Sequence, residues 1–252
     1  MAVKGKHTRL FVGSTTEAFE FTGVSNSLEV ALQVERIDTT AFQETGTTSI
    51  AGNTTGTITQ SGYFHDVTAG SFEKEVYESI ANGETLYVGA LAGTDVNACP
   101  AYVARATNTG DLTIGAETGG LITVQGEWFQ GIGILRGLRV WQGTITATGA
   151  QTSPAYIDLG AAGAAGGAAW LWVTAVTGTA TNAAIVLQSD DNTGFSSPAA
   201  EATFTFSSAS GRAQEQALSG TVDRYLRLST SSMGGATNFT VCVVAAVSGL
   251  TY

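Results

Sequence analysis

The sequence has few charged residues. Asp, Glu, Lys and Arg make up 13% of its 252 residues, about half the ~25% that is usual in a soluble domain. Small residues take their place, above all glycine, with 32 copies. A surface this poor in charge is typical of a protein that is covered by further copies of itself. The composition therefore favours self-assembly.

Positive charge is particularly scarce. The chain has 11 basic and 21 acidic residues, a formal net charge of −10, and both halves are acidic. No cluster of Lys or Arg is present that could neutralise a run of phosphates. We therefore expect no sequence-independent affinity for nucleic acid.

Cysteine and histidine are nearly absent. Cys99 and Cys242 lie far apart in the chain, which argues against a disulfide framework and a zinc site and predicts two buried thiols. His7 and His65 are the only histidines, so a Ser–His–Asp or Cys–His site would depend on a single isolated residue. We expect no enzyme and no cofactor.

Evidence for a metal site or a membrane segment is also lacking. Asp190, Asp191 and Asn192 could supply calcium ligands, but no distant Glu completes such a loop, and an acidic turn between two strands explains them better. The first residues lack the apolar core of a signal peptide, and no run is long and apolar enough for a transmembrane helix. We expect no metal and no membrane association.

One stretch has helical periodicity, from Ser71 to Gly83. Phe72, Val76 and Ile80 recur at helical spacing with Tyr77 beside them, and the remaining side chains are mostly charged. Ser71 suits the N-cap and Gly83 the C-terminal left-handed position. The spacing predicts one helix over about residues 71–82.

The rest of the first half alternates between apolar and polar residues. Ser27 to Ile37 is a half-buried strand pattern, and Thr57 to Asp66 alternates again. Between them, Asp38 to Gly56 is a long polar segment, which is uncommon in a compact domain unless it has a function. It is either a surface loop or an arm that orders against another subunit, with Phe42 and Ile50 as anchors.

Short strands at regular spacing fill the second half, from about Gly143 onward, with no helical pattern. This is typical of a β-sandwich or jelly roll. The sequence thus predicts a mainly β protein with two domains, residues 1–142 with one helix and residues 143–252 as an all-β sandwich. Trp170 and Trp172 point to the same side of one strand, where they form either a sugar-stacking platform or part of the sandwich core.

The segment Glu35 to Asp66 resembles the tail tube (major tail) proteins of long-tailed bacteriophages. The matching features are the Ile37-Asp38-Thr39-Thr40 step, the Gly52 to Gly56 return, and Gly62-Tyr63-Phe64-His65-Asp66, followed by a helix and more strands. The resemblance covers about the first 140 residues. The second half resembles, less closely, the accessory β-sandwich domains that are appended to phage structural proteins.

The resemblance implies a structural protein of the virion, assembled in the host bacterial cytoplasm. Its subunits would form rings, usually hexameric, that stack into a tail tube and contact other tail proteins. The second domain would decorate the outside of the tube and make weak contact with host surface sugars. DNA would pass through the lumen during ejection without specific binding, because a negative lumen repels phosphates. The long loop would reach a neighbouring subunit, and its candidate contact residues are Thr39, Thr40, Phe42, Thr47, Ile50 and Asn53.

Two other interpretations stay open at the level of sequence. A carbohydrate-binding or adhesin-like module would be monomeric and would bind glycans through Trp170 or Trp172 on the outer surface of the second domain. A head-decoration or tail-terminator protein would belong to the virion but would stop at one ring or bind only a capsid.

Overall fold

The computed structural model describes residues 8–22, 25–38, 49–64, 71–82, 85–93, 98–116, 120–130, 134–164, 166–218 and 220–250. Within these residues the chain forms sixteen strands and one helix, so the prediction of a mainly β protein with one helix is confirmed. The elements are β1 (Arg9–Gly13), β2 (Ala18–Glu20), β3 (Ser25–Asp38), β4 (Ser49–Tyr63), α1 (Phe72–Asn82), β5 (Thr85–Leu91), β6 (Pro100–Gly115), β7 (Thr123–Gln130), β8 (Leu135–Ile145), β9 (Gly149–Ala150), β10 (Ile157–Asp158), β11 (Gly167–Gly178), β12 (Ala183–Asp190), β13 (Ala199–Phe206), β14 (Ala213–Ala217), β15 (Tyr225–Ser232) and β16 (Ala236–Val247).

The chain divides into two compact units. One, which we call the hairpin unit, comprises Val24–Thr85 and Ala104–Leu135. The other, the sandwich unit, comprises Met1–Gly23, Leu86–Val103 and Arg136–Tyr252. Gly143, where the sequence texture changes, lies inside β8 opposite Val241 of β16. The two units are defined by spatial contact alone and do not test a boundary between domains in the sequence. The predicted domain boundary at residue 143 therefore stays a prediction.

The hairpin unit is an antiparallel sheet in the order β3-β4-β7-β6. Strands β3 and β4 have 14 and 15 residues, more than twice the usual length of ~5–6. The sequence predicts a polar connection up to Gly56, but β4 already begins at Ser49 and its first residues pair with the end of β3. Gly52, Asn53 and Gly56 are of residue types that are depleted in strands, so the pairing with β3 decides the conformation here.

Helix α1 lies on one face of this sheet, the face that carries Gly126 and Trp128, and we call it the helix face. Phe72 and Val76 are buried as predicted, so the helix is held through its first two turns. The Ser71 carbonyl accepts a hydrogen bond from the Glu75 N–H at 3.1 Å. The Ser71 hydroxyl has no partner among the described residues, so the predicted side-chain cap is not formed.

The sandwich unit packs two sheets face to face. One runs β14-β11-β16-β8-β6-β5-β1-β2 and the other β10-β15-β12-β13, with β9 added to β15. Alternate residues of β11, β16, β12 and β15 point between the sheets, as the period of two requires. Together with β13 they supply the large side chains of the core: Leu171, Val173, Ile185, Leu187, Phe204, Phe206, Leu226, Leu228, Phe239, Val241 and Val243. Phe206 and Phe239 meet edge to face with ring centroids 5.0 Å apart.

The first of these sheets curls back on itself. The turn after β1 accepts hydrogen bonds from β14 at the other end of the sheet, Ala213 N–H to Ser14 C=O at 2.9 Å and Arg212 N–H to Thr15 C=O at 3.0 Å. This closure creates a second buried layer on the far side of β11. Trp170 and Trp172 fill it, and both are fully buried.

Candidate assembly surface

The exposed edge of β3 is the first feature of this surface. Strand β3 pairs with β4 and with no other strand of the described chain. Its other edge therefore leaves a row of backbone N–H and C=O groups without strand partners over most of 14 residues. Natural proteins normally protect such edges with Pro, Lys, bulges or a covering element. Strand β3 contains neither Pro nor Lys. Its pairing with β4 is irregular between Ser25 and Ser27 and between Val34 and Arg36, so the stretch from Ser27 to Val34 is the part of the edge without such protection.

Exposed large apolar side chains are concentrated in the hairpin unit. Among the residues whose side chains are described, nine of the ten belong to it, and the tenth is Tyr156 of the sandwich unit. Leu32 and Val34, on the helix face of β3, are each 53% exposed, and Tyr77 on α1 is 60% exposed. The others are Tyr63, Ile80, Ile114, Leu121, Ile122 and Phe129. Adjacent exposed apolar side chains mark an interaction site, and Leu32 and Val34 are such neighbours on one face of β3.

Ile80 belongs to this group, which corrects its predicted place on the buried side of the helix. It is 39% exposed, and Tyr77 beside it is exposed as well. The apolar stripe of α1 is therefore wider than its contact with the sheet. Phe72 and Val76 are buried within the hairpin unit, whereas Tyr77 and Ile80 face solvent.

The opposite side of the sheet, which we call the open face, is mostly polar and carries two carboxylates, with the exposed rings of Tyr63 and Phe129 also on it. Glu29 lies opposite Thr59, and Thr59 lies opposite Glu127, so the two carboxylates share one row across β3, β4 and β7. Residues two positions away on the same face are mostly Thr, Ser and Gln. Among the described side chains of these strands there is no Lys or Arg. The open face thus presents negative charge to solvent.

Only some of the residues predicted to contact another subunit belong to the described part of the chain. Thr39, Thr40, Phe42 and Thr47 lie outside the described residues. Ile50 and Asn53 lie in β4, where Ile50 is opposite Ile37 of β3. They are therefore part of a paired strand and do not belong to a loop, since the hairpin extends further than its sequence suggests.

Trp170 and Trp172 do not form an outer-surface platform. The Trp170 indole donates to Glu215 Oε2 at 3.1 Å, and the Trp172 indole donates to the Tyr87 carbonyl at 3.0 Å. Trp172 also packs against Phe11, with ring centroids 6.1 Å apart. Neither ring has a free face for a sugar, because the curled sheet buries the side of β11 that carries both tryptophans. The sequence alone does not determine whether that side faces solvent.

The remaining candidates have structural explanations. Asp190 Oδ1 accepts from the Asn192 N–H and Asp190 Oδ2 from the Ser197 N–H, at 3.0 and 3.1 Å, so Asp190 shapes the turn after β12, as predicted. No group of three or more His, Cys, Asp or Glu in the described part of the chain is arranged to hold a metal. Cys99 and Cys242 are buried and not disulfide-bonded, as expected.

The described chain contains one short helix, and no helix in it has both the length and the apolar character to cross a membrane.

One group of surface residues was not predicted from the sequence. A cluster of tyrosines and arginines lies around Tyr156 in the sandwich unit. The short strand β10, which carries part of it, gives almost no periodic signal.

No family model and no curated protein sequence matches this chain. It is similar to a chain in the virion of a native gene transfer agent particle, with 12% identity and a TM-score of 0.38 over 53% of this chain and 97% of that one. A second similar structure is the tail tube of phage SPP1, with 13% identity, a TM-score of 0.43, and 54% and 78% of the two chains covered. A third is the Dit protein of the same phage, a hub protein, with 10% identity, a TM-score of 0.33, and 94% and 98% covered.

Proposed function

We propose that this protein is a structural component of a phage tail that self-assembles into rings, and that these rings stack into a tube through which DNA passes. The observation that carries the proposal is the long edge of β3, which pairs with no described strand, beside the exposed Leu32 and Val34. The resemblance of Glu35 to Asp66 to tail tube proteins supports the same function. It is a binding and scaffolding function, with no catalytic step.

The unpaired edge of β3 determines where the next copy of the chain attaches. A strand with free N–H and C=O groups gains hydrogen bonds when a strand of another copy pairs with it. Pairing one edge of the sheet with a different edge of the next copy is a heterologous contact, which closes into a ring if the rotation between copies allows it. The same contact would cover Leu32 and Val34, whose burial adds to the association.

The two faces of the sheet then have different environments. The helix face carries the exposed apolar side chains of α1 and β3, which suit contact with protein. The open face, with its Glu29–Thr59–Glu127 row, suits contact with water and would line the channel. Fixed negative charge repels the phosphates of DNA, so the nucleic acid would pass without being held. The low overall content of charge follows, because most of the remaining surface becomes an interface.

Stacking of rings is assigned to the segment between β3 and β4. Thr39, Thr40, Phe42 and Thr47 belong to this segment, and Ile50 and Asn53 follow it in β4. The hairpin extends well beyond the strand pairing with β7, which ends at Gly56. Asp38 pairs with Ser49, and the segment that joins them is long enough to contact a second subunit, with Phe42 as the proposed aromatic anchor.

Negative-stain electron microscopy of the purified full chain, over a range of concentrations, tests the proposal. We expect stacked rings or hollow tubes. The double variant Leu32→Lys/Val34→Lys should remain folded, because both side chains are more than half exposed, but should no longer assemble. The matched control is Thr203→Lys/Thr205→Lys, which adds the same two charges at exposed positions of β13 in the sandwich unit. It should assemble like the parent chain.

Monomers at every concentration would overturn the proposal, as would normal tubes from the double variant. Single rings that never stack would retain the edge pairing but would reassign the protein as a terminator or hub of the tail. Tubes formed by the parent and lost when Thr39 to Thr48 is deleted would support the stacking assignment.

A further inference from the structure

The second sheet of the sandwich unit carries a cluster of aromatic and arginine side chains on the surface that faces away from the core. Its members are linked by ring contacts, cation–π contacts and one ion pair. We call the cluster the tyrosine–arginine face, and it consists of Tyr156, Asp158, Phe195, Arg224, Tyr225 and Arg227.

The pairing of β10 with β15 places these residues on one side. Ile157 lies opposite Leu226, and both are buried in the core. Asp158 lies opposite Tyr225, one residue further along. Since successive residues of a strand point to opposite faces, Asp158 and Tyr225 project together from the outer surface.

Tyr156 presents its ring to solvent from this surface. It is 38% exposed and is the one large apolar side chain that is exposed in the described part of the sandwich unit. Its ring meets Tyr225 edge to face, with centroids 5.4 Å apart and an interplanar angle of 80°, and Phe195 lies 6.4 Å away. The two neighbouring rings therefore fix its orientation while leaving part of it uncovered.

Charged donors and acceptors are held beside the ring in fixed positions. Arg224 binds Asp158 with two hydrogen bonds, Nε to Oδ1 and Nη2 to Oδ2, both 2.8 Å long. Asp158 Oδ1 also accepts from the Gly160 N–H at 2.8 Å. The Arg224 guanidinium carbon lies 5.1 Å from the centroid of Tyr225. A second arginine, Arg227, donates to Gln188 Oε1 at 2.8 Å.

Of these six residues only Phe195 is buried, so most of the contacts add little to holding the sandwich together. The core of the unit lies on the other side of the sheet, and an exposed ion pair such as Arg224–Asp158 contributes little to stability. What they provide is a rigid surface that joins an aromatic ring to a guanidinium and a carboxylate. A pyranose sugar has a face of C–H groups that packs on the negative face of an aromatic ring. Its hydroxyl groups both donate and accept, which matches a paired carboxylate and guanidinium.

We propose that the tyrosine–arginine face binds a pyranose sugar, with the sugar stacked on Tyr156 and its hydroxyls hydrogen-bonded by Asp158 and Arg224. It is distinct from the side chains of Trp170 and Trp172, which are buried. Every residue in it belongs to the sandwich unit, whereas the edge of β3 belongs to the hairpin unit.

A glycan array of hexose and N-acetylhexosamine oligosaccharides, probed with the full chain, would identify the best sugar. Saturation-transfer NMR and titration of that sugar then compare variants at a concentration where the chain is dispersed. Tyr156→Ala should weaken binding by at least about tenfold, as loss of a stacking ring predicts, and Tyr156→Phe should retain it. Arg224→Lys should also weaken binding, since an ammonium group cannot reproduce the bidentate geometry. The control is Thr203→Ala on the exposed side of β13, which should bind as the parent does.

Absence of binding to any sugar on the array would overturn the proposal, as would equal binding by Tyr156→Ala. Electron microscopy of Tyr156→Ala gives the second readout, and we expect its assemblies to match those of the parent. If Tyr156→Ala bound sugar normally and failed to assemble, the face would be an interface between copies. A parent chain that never assembled would contradict the proposed function while leaving the sugar titration interpretable.

Discussion

The ring of Phe72 meets the indole of Trp128 edge to face, with centroids 5.9 Å apart and an interplanar angle of 78°. Both side chains are buried. Gly126, two residues before Trp128 on the same face, makes room for the phenyl ring, because a Cβ at that position would lie 2.7 Å from Phe72 Cζ. This contact fixes α1 to the sheet of the hairpin unit and so keeps the edge of β3 and the helix surface on a single body.

Removing the Phe72 ring should be costly. We expect Phe72→Ala to lower the free energy of unfolding by about 3–5 kcal/mol, the usual cost of truncating a buried Phe. Chemical denaturation of the dispersed chain measures it. Tyr77→Ala, on the exposed side of the same helix, should change the value by less than about 0.5 kcal/mol. Equal effects of the two substitutions would show that Phe72 does not anchor the helix.

Gly89 is required by the packing of Trp172. A Cβ at residue 89 would lie 2.8 Å from Cη2 of that indole, so we expect Gly89→Ala to destabilise the protein by about 1–3 kcal/mol through overpacking. Thermal unfolding measures the change. Gly220→Ala is the control, because a Cβ there has nothing within 4 Å. Combining Gly89→Ala with Trp172→Phe should cost less than the sum of the two single changes, since the smaller ring removes the clash.

The Asp158–Arg224 pair should persist into strong acid. The hydrogen bonds from Arg224, followed by the one from Gly160, lower the pKa of Asp158 from 3.8 to about 2. A carboxyl whose pKa is lowered by folding contributes stability above its unfolded pKa and loses it as the pH falls through the folded value. NMR titration of the Asp158 carboxyl should therefore give a midpoint near 2. In Arg224→Gln the midpoint should move up toward 3.8, and an unchanged midpoint would contradict the assignment of the cause.

The thiol of Cys242 should be inert in the folded protein. Complete burial raises its pKa far above the ordinary value, and nearby charges are secondary. Because the thiolate is the reactive species, a thiol reagent at pH 8 should label neither Cys242 nor the equally buried Cys99. Labelling should appear only with denaturant, along the unfolding transition. Rapid labelling in the native state would show that the interior of the curled sheet opens.

The helix was predictable because its signal is local. Phe72 and Val76 recur at helical spacing within eleven residues, and charged residues surround them. This local pattern predicts both the helix and the side of it that is buried. The strands of the sandwich were predictable for the same reason, since Ile185, Leu187 and their neighbours alternate with period two. The sequence also predicted the burial of both cysteines, which follows from their apolar surroundings.

The extent of the long hairpin was not predictable in this way. Ser49 to Gly56 is rich in Thr and Gly and has the composition of a loop, yet it is a strand because β3 offers a partner of matching length. The place of Trp170 and Trp172 was also open. Alternation shows that the two share a side of β11, but not whether that side meets solvent or another part of the sheet.

The sequence by itself thus determined the class of the fold, its one helix, the alternation of its strands and the shortage of charge. These properties depend on local periodicity and composition. Tertiary structure alone decided which edge stays unpaired, how the first sheet curls over the tryptophans, and where Tyr156, Asp158 and Arg224 meet. Each of these depends on pairing between strands that are far apart in the chain. Residue 158 and residue 224 become neighbours only through the register of β10 on β15, and no local pattern encodes that register.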